Sequence, residues 1–319
     1  MFIERGYEGN IQFWRYLVSI LLIVLAYILG QVPLTVVIAL AAFNQNRLDT
    51  LKPDMDFTTL GIDNNLFLCL ALIMFLLSML CLILVVKYIH RKSIVSIVTA
   101  RKRIDVGRIV YSAMLWLFLT ILFELLSYML SPEIYQFSFD WRAFIPLLFI
   151  VLIGIPIQAG FEEMFLRGYL MQAIGLIGIY RWVPLVVTSI IFGLLHSLNP
   201  EIKEFGFGLM MIYYMGVGFF LAIITLMDDG LELALGVHII SNIYASLFVT
   251  YQGSALKTAA LFRIKDLNPE LMLAGYFICA LLFMAIISKK YMWAGWNKLY
   301  CRVIKPVQQQ EILPGAEVS

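Results

Sequence analysis

Eight long apolar runs divide this chain, and they leave it little choice but to fold inside a lipid bilayer. They cover about residues 14–42, 66–88, 109–130, 143–172, 182–198, 207–227, 231–251 and 271–288. Most reach or approach the ~20 apolar residues that a helix needs to span a hydrocarbon core. Hydrophobic residues make up 62% of the chain and charged residues only 14%, against roughly 25% charged in soluble domains. No stretch is left over for a separate soluble domain. The expected architecture is all-α: a polytopic membrane protein of about eight transmembrane helices enclosing a polar intramembrane cavity. The fifth run is the shortest, and Asn199-Pro200 reads as its stop signal.

Charge placement orients the bundle. The first run is far longer than the apolar region of a signal peptide, so it reads as a retained span. With both termini cytoplasmic, 15 of the 23 Lys and Arg residues fall on cytoplasmic segments and 7 outside, with Arg167 within the fourth span. That bias follows the positive-inside rule and predicts a multi-pass protein of the cell membrane with both ends in the cytoplasm. The linker 89–108 is the strongest basic segment. It reads either as a solvated positive-inside linker or as an amphipathic stretch on anionic lipid. His90, beside Arg91, reads as a surface residue. Topology alone explains the positive charge, and no nucleic-acid signature is present. The loop 43–65 is rich in Asp, and residues 306–319 form a polar tail expected to lack order. Cys69, Cys81, Cys279 and Cys301 include no C-x-x-C pair, which argues against both a disulfide framework and a zinc knuckle.

Against this apolar background three patterns stand out: Glu162-Glu163-x-x-x-Arg167, Phe192-x-x-x-His196 and His238-x-x-x-Asn242. The chain has three histidines, and two of them lie here. A charge at a helix centre in a membrane costs at least ~2.5–3.5 kcal/mol on insertion scales, so this density of ionisable groups requires a purpose. Residues four apart share a helix face, and an acid four positions before a base is the favourable order for Glu163 and Arg167. The fourth and fifth runs turn around near 175–181, which places Glu162 and His196 at similar depth. The turn at Asp228-Asp229-Gly230 brings His238 and Asn242 towards the same level.

The chemistry follows from the residue types. A carboxylate and an imidazole in a dry pocket can deprotonate water and later protonate a leaving group. Two adjacent carboxylates cannot both ionise cheaply without a cation, so Arg167 holds Glu163 ionised and leaves Glu162 free to change protonation state. A second imidazole and the Asn242 amide can donate hydrogen bonds to a developing oxyanion. These are parts of a hydrolase acting on an amide bond. The same imidazoles with one carboxylate also suit zinc, with a position left for water; the conditional ligand set is Glu163, His196 and His238.

The three patterns, in this order on successive pairs of spans, resemble the CPBP family of intramembrane proteases, which includes type II CAAX prenyl endopeptidases and bacteriocin-processing or immunity (Abi) proteins. The resemblance rests on Glu162-Glu163-Met164-Phe165-Leu166-Arg167, Phe192-Gly193-Leu194-Leu195-His196 and His238-Ile239-Ile240-Ser241-Asn242, with Gly168-Tyr169-Leu170 after the arginine. It covers roughly residues 143–250. It implies a catalytic core over 143–251, preceded by N-terminal spans and the basic linker over 1–142 and followed by the last span and tail over 252–319, all in one membrane domain. It further implies that Glu162 and His196 activate the attacking water, that His238 and Asn242 form the oxyanion site, and that Glu163 and Arg167 support Glu162. The substrate would be a membrane-embedded or lipidated protein or peptide. Both metal-dependent and metal-free mechanisms are compatible with the resemblance. The Asn242 amide, a poor zinc ligand and a good hydrogen-bond donor, favours the one without a cofactor.

Two other classes fit the same residues. A proton-coupled transporter could use the carboxylates and imidazoles as a relay, but no inverted repeat or matching pair of broken helices is visible. A non-catalytic membrane scaffold or immunity-type protein would keep the fold and bind a partner. Phe192 reads as packing. Glu124, in the third run, either adds to a polar cavity or pairs with another helix. Gly206, Gly208, Gly216 and Gly218 permit close helix approach, within the chain or between copies.

Overall fold

The computed structural model describes residues 1–45, 60–178, 180–255 and 257–305. Most of the Asp-rich loop (46–59) and the whole tail 306–319 lie outside the described residues. In chain order the helices are α1 (Phe13–Asn44), α2 (Asn64–Leu84), α3 (Ile94–Val98), α4 (Val106–Leu130), α5 (Trp141–Glu163), α6 (Met171–Gly175), α7 (Trp182–Leu195), α8 (Pro200–Phe205), α9 (Phe207–Asp228), α10 (Glu232–Leu247) and α11 (Pro269–Lys290). A π turn over Val85–Ile89 extends α2, and another over Met164–Leu170 joins α5 to α6. Among the described residues six helices are long and apolar enough to cross a membrane, α5 through α6 counting as one. The chain is an all-α polytopic membrane protein.

Two of the eight predicted spans come out short. α7 has 14 residues and α10 has 16, or about 21 and 24 Å at ~1.5 Å per residue. The run 182–198 stops at Leu195 because Pro200 cannot continue a helix and Asn199 before it is extended. The run 231–251 gives up its last residues to a strand. That strand, β2 (Val249–Tyr251), lies parallel to β3 (Phe262–Ile264), which pairs antiparallel with β1 (Tyr135–Phe137). At three residues each, these strands are too short for periodicity to reveal.

Polar caps fix where the helices begin. Asp63, Asp105, Asp140 and Asn268 accept backbone N–H groups at the starts of α2, α4, α5 and α11, each such cap being worth ~1 kcal/mol. Packing then runs α1 on α2, α2 on α5, α5 on α10, α10 on α4 and α9, and α9 on α7 and α11. α10 is central, and Gly236 lets it approach α4 so closely that a Cβ there would meet Ser112 Oγ and Ile109 O. Gly216 and Gly218 face Phe277 of α11 and Ser189 of α7, so their close approaches lie within the chain. Glu124 accepts a 2.6 Å hydrogen bond from Tyr135 Oη, tying α4 to β1.

The end of the bundle opposite the sheet is interlocked. Leu231 N donates to Val98 O (2.7 Å), Phe2 N to Asp229 Oδ1 (2.9 Å) and Arg181 Nη2 to Glu4 Oε1 (2.6 Å). Arg101 bridges Asp228 (3.0 Å) and Glu232 (3.2 Å). The basic linker is part of this lock and not a free segment. Lys92, Ser96, Ile97, Val98 and Thr99 are buried, and burial pushes the Lys92 amine down to about 8.

His90 corrects the surface expectation: it is fully buried. Its Nδ1 lies 2.8 Å from Asn10 O and its Nε2 2.8 Å from Tyr169 Oη and 3.3 Å from Ser19 Oγ. The neighbouring charges Arg91 and Lys92 misled the sequence reading. The ring in fact turns inward, between α1 and the π turn.

Candidate active site

The three patterns converge, and the reason is where their helices run. Glu162 and Glu163 close α5, Arg167 lies in the following π turn, His196 caps the C-terminus of α7, and His238 and Asn242 lie along α10. At ~1.5 Å per residue, His238 and Asn242 stand about 9 and 15 Å from the start of α10. His196 stands at the far end of the 14-residue α7. The early end of α7 brings His196 to the level of Phe192 and Tyr214, and the positions of His238 and Asn242 along α10 bring them level with Glu163 and Gln158.

One half of the cluster is dry. Glu163 and Arg167 are both fully buried and form an i,i+4 ion pair, Nη1 to Oε1, at 2.8 Å. Arg167 Nη2 donates to Gly218 O of α9 at 3.3 Å, and the guanidinium carbon sits 4.5 Å above the Phe192 ring. The same Glu163 Oε1 takes a second 2.8 Å hydrogen bond, from His238 Nδ1. A carboxylate oxygen accepts, so Nδ1 carries the hydrogen and Nε2 of His238 points the other way. That way lies Glu162, whose Oε2 is 3.4 Å from Nε2.

The other half is more open. Glu162 keeps 14% of its side chain exposed where Glu163 keeps none. His196 Nδ1 lies 2.7 Å from Phe192 O. A carbonyl accepts, so this hydrogen bond leaves Nε2 as the unprotonated nitrogen of the neutral ring. The imidazole is held between Phe192 (centroids 4.4 Å) and Tyr214 (4.5 Å, stacked). Phe192 also meets the His238 ring edge-on at 6.0 Å. Phe192 is therefore the hydrophobic centre that Arg167 and both imidazoles share. Among the described residues no hydrogen bond joins His196 to Glu162.

Two contributions escaped the sequence reading. Gln158, one turn before Glu162 on α5, donates Nε2–H to Glu162 Oε1 (2.6 Å) and accepts from Asn242 Nδ2 (2.9 Å). Its i,i+4 spacing to Glu162 is the signal that could have found it. Tyr214 of α9, the platform for His196, takes a 3.0 Å hydrogen bond from Asn199 Nδ2 and lies beside the buried Glu201 of α8. Nothing in the local sequence marks that tyrosine out.

The conditional zinc set does not converge. Glu163 Oε1 and His238 Nδ1 are bonded to each other, which makes Glu163 the partner of that imidazole and not its co-ligand. Among the described residues no three His, Cys, Asp or Glu side chains are grouped as a metal would need.

Fold and site together define a multi-pass membrane protein with an acid–imidazole cluster on paired intramembrane helices. Comparison with known proteins gives the class a family. The family described as "Type II CAAX prenyl endopeptidase Rce1-like" matches residues 141–244, the stretch that carries the cluster. Over 271 residues the chain is 30% identical to the uncharacterized protein YyaK of Bacillus subtilis (strain 168), covering 83% of this chain and 88% of that protein. The chain belongs to this CPBP family, which at the family level is one of CAAX-type intramembrane proteases. No solved structure matches it.

Proposed function

We propose that this protein is an intramembrane endopeptidase that hydrolyses a peptide bond in a membrane-embedded or lipidated protein or peptide. The observation that carries the reading is the division of labour between the two adjacent glutamates. Each glutamate has an Oε2 without a hydrogen bond among the described residues. Glu163, however, is fully buried with Oε1 held by both Arg167 and His238, whereas Glu162 keeps 14% of its side chain exposed and has only the Gln158 amide on Oε1. In this reading Glu162 Oε2 and His196 Nε2, both acceptors, orient one water and Glu162 takes its proton. The water oxygen then bonds to the scissile carbonyl carbon, and the carbonyl π pair moves to oxygen. His238, taken in this reading as an imidazolium with Nδ1–H anchored by Glu163 and Nε2–H left to donate, stabilises that oxyanion together with the Asn242 amide N–H. As the C–N bond breaks, Glu162 returns the proton to the leaving nitrogen, giving a new carboxyl and a new amine. No step is routed through a metal.

The orientation follows from charge. Cytoplasmic termini place the interlocked end, with exposed Arg91, Lys102 and Arg103, against the inner leaflet. Those three residues, and not the whole linker, are what an anionic headgroup would meet. The test of the activity is reconstitution in proteoliposomes with a pool of membrane-anchored and prenylated peptides. The wild type is expected to cleave a subset in the presence of EDTA, and Glu162→Gln none. Equal peptide patterns for both proteins would count against hydrolysis and favour a scaffold.

A further inference from the structure

Gln158 lies outside all three motifs, yet among the described residues its side chain hydrogen-bonds residues of two of them. Its amide bridges α5 and α10 at the level of the site, donating Nε2–H to Glu162 Oε1 at 2.6 Å and accepting from Asn242 Nδ2 at 2.9 Å. Its orientation is dictated by its partners. An ionised carboxylate only accepts, so the amide nitrogen must face Glu162 and the carbonyl must face Asn242. The Asn242 nitrogen must then face back. The reversed amide would set two acceptor oxygens against each other.

Two consequences follow for the atoms that would react. Glu162 Oε1 is occupied, so a proton taken by this carboxylate goes to Oε2, the oxygen 3.4 Å from His238 Nε2. Asn242 commits one N–H to Gln158 and keeps the other to donate. A side chain that only stapled α5 to α10 would have little to add, because Leu147, Val151, Ile155 and Leu247 already form a buried cluster there and His238 already bonds Glu163. Interhelical hydrogen bonds in a bilayer also contribute only modestly to stability.

We propose that Gln158 is a positioning residue for peptide-bond hydrolysis, presenting Glu162 Oε2 to the reacting water and holding the Asn242 amide in its donating orientation. This rests on the hydrolase reading above. The test measures kcat, KM and Tm in proteoliposomes for the wild type, Gln158→Met, Asn242→Ala and the double variant, using a peptide whose cleavage is lost in Glu162→Gln. Gln158→Met keeps length and removes both hydrogen bonds. A misplacement of about 1 Å costs on the order of 100-fold in rate, so kcat should fall by at least ~10-fold, with KM within about twofold and Tm unmoved. The double variant should be scarcely slower than the slower single variant, because the two residues act through one hydrogen-bonded chain. If the Met variant does not fold, Gln158→Asn, one methylene too short to reach both partners, gives the same readout. Wild-type kcat in the variant, a loss confined to KM, or fully additive losses would each overturn the positioning role alone. Absence of Glu162-dependent cleavage in the wild type would overturn the hydrolase reading, and this proposal with it.

Discussion

Arg167 is fully buried, and a guanidinium taken out of water is tolerated only when its neighbours compensate. Here Glu163 supplies the counter-charge, Gly218 O a second acceptor and Phe192 a π face. Removing the arginine strands the Glu163 carboxylate in a dry site. Arg167→Ala should therefore cost about 3–5 kcal/mol of stability as well as activity, read as a fall in Tm of the detergent-solubilised protein. Arg167→Lys should recover only part, since a lysine lacks the fork that reaches two acceptors and the planar group that stacks; unchanged Tm in the alanine variant would refute the pairing. At this scale the sequence was most legible. Glu163–Arg167, Phe192–His196 and His238–Asn242 are each four apart, and helix geometry turns that spacing into a shared face. Gln158 obeys the same rule with respect to Glu162, but an isolated amide in an apolar run attracts no notice until its partner on another helix is known. His90 misled because the charge of its neighbours says nothing about which way one ring turns.

The elements that matter most are the two that hydropathy overestimates. The fifth run is the shortest expected, with Asn199-Pro200 as its stop, and its helix ends three residues sooner, at Leu195. Apolar Phe248 and Val249 carry the seventh run past Leu247, whereas the pairing of β2 with β3 ends that helix early. The early end of α7 sets His196 at its C-cap, partly buried against Phe192 and Tyr214. α10 also depends on touching α4 at Gly236, where the facing atoms are Ser112 Oγ and the Ile109 carbonyl. Gly236→Leu should force the helices apart, at a cost of about 1–3 kcal/mol or more. A thermal melt and a cleavage assay should fall together, because His238 is two residues away. Retention of both would mean that α10 tolerates displacement and that the site does not depend on this contact. The close approach was not readable from the sequence, which offered other glycines, Gly206 and Gly208 among them, with equal prominence.

At the scale of the whole molecule, the bundle has one end locked by the N-terminus, linker and C-terminal segment, and another covered by α8 and the small sheet. Composition and the apolar runs were enough to foresee an all-α polytopic membrane protein. They did not foresee that the basic linker folds into the body, since burial of Ile97 and Val98 against the π turn requires Gly168, whose Cβ would meet Ile97 O. The charge distribution predicts that this locked end is cytoplasmic. Reporter fusions at residues 45 and 305 should give opposite compartments, with the reporter at 305 inside; the reverse result would invert the orientation. The central claim, that Glu162 drives peptide-bond hydrolysis in the membrane, is tested most directly by mass spectrometry of membrane-protein terminal peptides. Cells carrying the wild type are compared with cells carrying Glu162→Gln at equal abundance. A defined set of new termini should be present with the wild type and vanish with the variant. Identical termini in both, across several growth conditions, would contradict it.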